Sequence, residues 1–178
     1  MHKLAALLLS AALPFAAYAA GSDDTAPPTP TETTTTCAKG EIYDAEAKKC
    51  KNPQDASLGD DTRFGAVREL AYAGRYSDAL ASLDAMQEGD SDRVLTYRGF
   101  ITRKSGDMAG GMAFYARALA ANPDNILARS YMGQALVEQG DIAAAARQLD
   151  EIRSRNATGT WAEAALAHAV GTGQTLNY

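Results

Sequence analysis

Two cysteines, a histidine outside the N-terminal run and several carboxylate pairs are the residues of this chain whose types could do chemistry. Cys37 and Cys50 lie thirteen positions apart and suit either a disulfide or half of a metal site. A metal needs more ligands than two sulfurs, and His168 is far away in the sequence. His168 itself has no Cys or Ser partner at a nucleophile spacing. Asp60 with Asp61, and Asp90 with Asp92, fall where helices are expected to begin, and there negative charge complements the helix dipole. Gly110-Gly111 and Gly171-x-Gly173 lack the preceding strand that a phosphate-cradling glycine loop requires. The inventory predicts no catalytic residues, no metal and no cofactor.

The N-terminus has the outline of an export signal. Met1-His2-Lys3 is a short basic start, positions 4–15 are apolar but for Ser10, and Ala17-Tyr18-Ala19 is a small-x-small cleavage site. The apolar run is shorter than the roughly 20 residues a membrane-spanning helix needs. A signal peptide over 1–19 predicts a bacterial periplasmic or secreted protein, with no stable membrane insertion after cleavage. A formal charge of −5 without a long basic run argues against nucleic acid as a partner. In an oxidising compartment the default state of Cys37 and Cys50 is a disulfide. Closing so short a loop is worth roughly 3 kcal/mol.

The elements that would position these residues fall into zones. Residues 20–36 are Pro, Thr and acid with almost nothing apolar, so they predict a disordered spacer whose composition also suits O-glycosylation. Residues 37–53 carry Gly40, an Ile42-Tyr43 pair and an Asp44-led turn, which predict a small hairpin stapled by the cysteines. A second linker runs to Gly59. From Asp60 onward the chain is Ala-rich with helical periodicity, punctuated by Gly74, Gly106 and Gly140, spaced 32 and 34 residues apart.

A helix–turn–helix period near 34 resembles the tetratricopeptide repeat family, whose pattern is W-x2-L-G-x2-Y, then A-x3-F, then Pro. The best match reads Arg129-x2-Met132-Gly133-x2-Leu136, a Gly140-Asp141 turn, then Ala145-x3-Leu149. The preceding unit reads Leu95-x2-Arg98-Gly99-x2-Thr102, Gly106-Asp107, Gly111-x3-Tyr115, with Ala118 and Pro123. The first reads Arg63-x2-Ala66-Val67-x2-Leu70, Gly74, then Ala79-x3-Leu83 and Met86. Arg98, Thr102 and Val67 depart from the pattern. Small residues are expected where the helices of a pair cross, and large ones in the holes between neighbours.

The resemblance implies an all-α, tetratricopeptide-like superhelix of three helix-turn-helix repeats, over about 60–91, 92–125 and 126–158. Thr160-Trp161-Ala162-Glu163 is a capping box and opens a C-terminal capping helix over 159–173, followed by a tail over 174–178. The superhelix is expected to be preceded by the stapled hairpin and the disordered N-terminus.

In this family the first helix of each pair lines a concave groove. At the matching positions stand Phe64 and Arg68; Arg93, Thr96, Phe100 and Arg103; and Leu127, Ser130 and Gln134. Aromatic anchors mixed with arginine suit an extended peptide carrying acidic groups. The lysine and asparagine set that clamps a C-terminal carboxylate in some relatives is absent. Phe64, Arg68, Tyr97, Leu127 and Tyr131 stand there instead. The function this implies is an exported adaptor that holds a protein or peptide partner in the groove. Two other readings stay open. The Cys37–Cys50 hairpin could present Tyr43 to a cell-envelope polysaccharide, or the repeats could self-associate through the first unit's edge.

Overall fold

The last five helices of this chain begin where a short polar side chain takes up a free N–H, and the first helix of each pair ends where the backbone turns left-handed at a glycine. The computed structural model describes residues 25–176, so the export signal over 1–19 and the last residue, Tyr178, lie outside the described residues. The elements are α1 (Glu32–Thr35), β1 (Ile42–Asp44), β2 (Lys49–Lys51), α2 (Asp60–Tyr72), α3 (Tyr76–Asp84), α4 (Asp92–Lys104), α5 (Met108–Ala121), α6 (Ile126–Glu138), α7 (Ile142–Ser154) and α8 (Trp161–Thr172). Ser91, Asp107, Asn125, Asp141 and Thr160 each accept a backbone N–H three residues on, at the starts of α4 to α8. Gly74, Gly106 and Gly140 close α2, α4 and α6 with φ of 71°, 101° and 82°, a conformation that costs a residue with a Cβ dearly.

Three antiparallel pairs follow, α2 with α3, α4 with α5 and α6 with α7, and α8 packs on α6 and α7. The repeat architecture expected from the sequence is the one observed. Within the second pair the crossing is closest at Gly99 and Gly111. A Cβ on Gly99 would lie 2.6 Å from the Tyr115 ring, and one on Gly111 would lie 3.0 Å from the Gly99 carbonyl oxygen. Gly133 serves a different neighbour from the one its repeat position implies. It opens space for Leu166 of α8, whose methyl carbons would sit 2.6 Å from a Cβ there.

The N-terminal part of the described chain departs from expectation. From residue 25 on, the spacer is packed chain, ending in the short α1. Its threonines bond to a buried carboxylate, which replaces the missing apolar surface as the source of order. Glu69, 5% exposed on α2, accepts the Thr31 N–H at 2.8 Å, the Thr31 hydroxyl at 2.6 Å, the Thr34 N–H at 3.0 Å and the Thr34 hydroxyl. Arg75 adds bonds to the Thr33 and Ala38 carbonyls.

The hairpin forms as expected, with Tyr43 opposite Cys50 and the Cys37–Cys50 bridge closed. It is also part of the stack. Ile42 is fully buried and shares one core with Leu58, Val67 and Leu70. Arg63, itself buried, holds the following linker through the Pro53 and Asp55 carbonyls at 2.8 and 3.0 Å. Hairpin and α1 therefore cover part of the α2 edge, the surface that the open self-association reading assigned to a second copy. Replacing both cysteines, Cys37→Ser with Cys50→Ser, is expected to lower stability by about 3 kcal/mol in urea titration. An unchanged midpoint would mean that the hairpin adds nothing to the fold.

Candidate concave cleft

The first helices of the three pairs lie side by side, α2 against α4 and α4 against α6. One face of each therefore looks into a common hollow. Its open part is a cleft of about 760 Å³. Phe64 and Arg68 enter it from α2, Arg93, Thr96 and Tyr97 from α4, and Leu127 from α6. The loop between α5 and α6 adds Asn122, Asp124 and Asn125.

Its charges are fixed before any ligand arrives. Arg93 lies 4.7 Å above the Phe64 ring, pairs with Glu88, and reaches Asp61 at 2.9 Å. The hydrogen bonds Arg93 donates to Glu88 raise the Arg93 pKa against the effect of burial, and Arg93 in turn holds the Glu88 carboxyl below its usual range. Asn125 donates to Asp92 at 2.9 Å and to the Thr96 hydroxyl at 3.1 Å, while Asn122 donates to the same carboxylate at 2.7 Å. Phe64 meets Tyr97 edge to face, with centroids 5.3 Å apart. Burial pushes the Tyr97 phenol up, and the neighbouring Arg68 opposes that shift. Arg68 donates at 2.7 Å to the Ala26 carbonyl of the N-terminal segment, and its Nε is buried without a partner.

Of the nine expected groove residues five line this cleft, Phe64, Arg68, Arg93, Thr96 and Leu127, and of these Thr96 is itself only 1% exposed. Phe100, Arg103, Ser130 and Gln134 are 1%, 4%, 0% and 0% exposed and belong to the interior. For Ser130 and Gln134 the cause is the seating of α8 on α6, and for Phe100 and Arg103 it is the packing of α4 against its neighbouring repeats. Ser130 donates to the Ala162 carbonyl of α8 at 2.7 Å, and Gln134 donates to Ser130 at 3.2 Å. Phe100 stacks on Tyr72 with centroids 5.6 Å apart and meets Tyr131 at a 45° tilt, 4.9 Å away. Trp161 of α8 lies 6.3 Å from Tyr72, and the Tyr72 and Tyr131 hydroxyls bond at 2.8 Å. Arg103 pairs with Glu138 at 2.9 Å.

Sequence reasoning missed the part played by Tyr97, Asn122 and Asn125. Asn125 was legible as a helix cap beside Pro123, and only the return of the loop toward α4 brings it to the cleft. A smaller hollow of about 450 Å³ lies where the N-terminal segment, the hairpin and α2 meet, and half-buried Tyr43 lines it. His168 is exposed on α8. Among the described residues no group of three His, Cys, Asp or Glu side chains is placed to hold a metal ion. No helix among them is long and apolar enough to cross a membrane.

A tetratricopeptide repeat family model matches residues 103–169, from the last turn of α4 into α8. No curated protein and no solved structure matches the chain.

Proposed function

With residues 103–169 matching a tetratricopeptide repeat model, we propose that the chain is an exported adaptor that holds an extended peptide segment of a protein partner in the cleft between α2, α4 and the α5–α6 loop. Repeats of this family are in general protein-interaction modules without chemistry of their own. The cleft carries the reading, because it combines the aromatic ring of Phe64, backed by buried Tyr97, with two guanidinium groups and the apolar Leu127. Peptide sites favour that mixture, in which aromatic faces supply area and arginine supplies direction. Asp61 and Asp124 at the rim select against ligands of uniform negative charge. A peptide with one acidic group near Arg68 and an apolar residue near Leu127 fits best.

Export is supported by the outline of the first 19 residues and by the disulfide, which persists in oxidising compartments. The polysaccharide reading has weaker support. The hairpin turns Ile42 into the core, which leaves it an end cap with a single half-exposed aromatic, Tyr43.

One preparation tests both halves of the proposal. The chain is expressed from its full precursor in a bacterial host, recovered from the periplasm and panned against displayed random peptides. The recovered chain is expected to begin at Ala20, and the selected peptides to carry an acidic residue beside apolar ones. Arg68→Ala with Leu127→Asp is expected to weaken them at least tenfold, on the scale of losing one well-placed contact, about 1.4 kcal/mol. Peptides that bind this variant as well as the wild type would place the working surface elsewhere. Retention of residues 1–19 in a cytoplasmic product would remove export.

A further inference from the structure

Arg68, at the edge of the groove, already holds a length of polypeptide, and it is the chain's own. Residues 25–30 read Thr-Ala-Pro-Pro-Thr-Pro and carry no helix or strand. Three prolines in such a run favour the extended polyproline conformation, which leaves backbone carbonyls free to be bound. The segment runs from the last helix to the first, and its Pro28 and Thr29 line the smaller hollow beside α2. At one end the Thr25 hydroxyl accepts the Ala162 N–H of α8 at 3.3 Å, and Thr25 itself lines the 760 Å³ cleft. Next along, the Ala26 carbonyl accepts from Arg68, the cationic groove residue of α2, at 2.7 Å. Beyond the prolines, Thr31 and Thr34 are held by Glu69.

We infer that residues 25–30 are an intramolecular stand-in for the peptide partner, and that a partner takes its full place at Arg68 only by displacing them. This rests on the groove reading above and adds its regulation. Two observations make the segment releasable. No residue from 25 to 32 is buried, and segments seated so shallowly open locally at low free energy. Its far end is secured independently, by buried Thr33 and by the bridge at Cys37, so release leaves the repeats folded. A tethered occupant competes at an effective concentration on the order of millimolar. It therefore screens out weak ligands and admits those that bind more tightly.

The test uses a fluorescent twelve-residue peptide with the sequence of residues 25–36, added to the secreted chain and followed by anisotropy. A loosened chain carries Pro27→Gly, Pro28→Gly, Pro30→Gly and Thr31→Ala, which restore chain entropy and remove one bond to Glu69 without touching the cleft's side chains. It is expected to bind the peptide at least tenfold more tightly than the wild type, and to lose that binding when Arg68→Ala is added. Equal binding by both chains, weakened in each by Arg68→Ala, would overturn the stand-in while leaving the groove as a peptide site. No binding by either chain would also overturn it, and the panned peptides would then decide the groove reading separately. Should the loosened chain fail to fold, hydrogen exchange on the wild type decides. The Thr31 amide is expected to exchange orders of magnitude faster than that of Ile101, and equal protection would overturn release.

Discussion

Phe100→Ala is expected to destabilise the chain by about 3–5 kcal/mol, the range for truncating a large buried aromatic, and not to act first on a bound peptide. Its position in the repeat pattern marks it as a groove residue, yet its ring is 1% exposed. It lies parallel to Tyr72 of the first repeat, with 8° between the planes, and 4.9 Å from Tyr131 of the third. One ring thus ties all three units together. Each such pair adds roughly 0.5–1.5 kcal/mol beyond area burial, and the cavity left by Ala would lie among rigid rings that collapse poorly. In a stacked-repeat protein the interfaces between neighbours supply much of the stability. Against a total of about 5–15 kcal/mol for an ordinary domain, the loss is large. Urea titration of Phe100→Ala beside Phe100→Leu checks it. Leucine retains most of the volume and is expected to lose much less. If Phe100→Ala keeps the wild-type midpoint and only weakens peptide binding, the aromatic stack is an open groove after all.

What could be read from the sequence was what short-range stereochemistry specifies. Gly74, Gly106 and Gly140 mark helix ends because a left-handed residue there strongly favours glycine. Gly99 and Gly111 mark a crossing because two backbones meet there. Thr160 marks a helix start because its side chain reaches the Glu163 N–H. The C-terminal capping helix was legible for the same reason.

What could not be read is whatever depends on closure in space. A helix position tells which face Phe100, Ser130 and Gln134 share, but not that α8 would seat itself on that face. Gly133 looked like a crossing residue within its own pair, and only the placement of Leu166 shows what it makes room for. The N-terminal segment is the sharper case. Composition predicted disorder because an apolar count ignores polar order. Its organising residue, Glu69, lies 38 positions beyond Thr31. A clue was present, since Glu69 sits beside Leu70 and one turn from Ala66 on an otherwise core-facing stretch. A carboxylate there needs donors, and the threonines supply them.

Arg103 and Glu138 should respond very unequally to substitution, with Glu138→Ala costing about 3–5 kcal/mol and Arg103→Met close to neutral. The Arg103 side chain is 1% exposed and that of Glu138 29%. Their bond of 2.9 Å links the last turn of α4 to the last residue of α6, and Thr175 donates to the same carboxylate oxygen. Room for the arginine comes from Gly111, where a Cβ would press within 2.8 Å of the Arg103 Cβ. Removing Glu138 leaves a guanidinium enclosed by protein without its carboxylate, and water cannot easily reach it. Removing Arg103 leaves a carboxylate at the margin of the fold, which water can solvate, while methionine refills the space. The double variant is therefore expected to be more stable than Glu138→Ala alone. That rescue is the signature of a buried charge relieved, because independent losses would add. Thermal or urea unfolding of the four chains measures it directly. Equal costs for the two single changes, or a double variant weaker than either, would mean that solvent reaches the arginine and that α4 and α6 are less tightly closed than their contact implies.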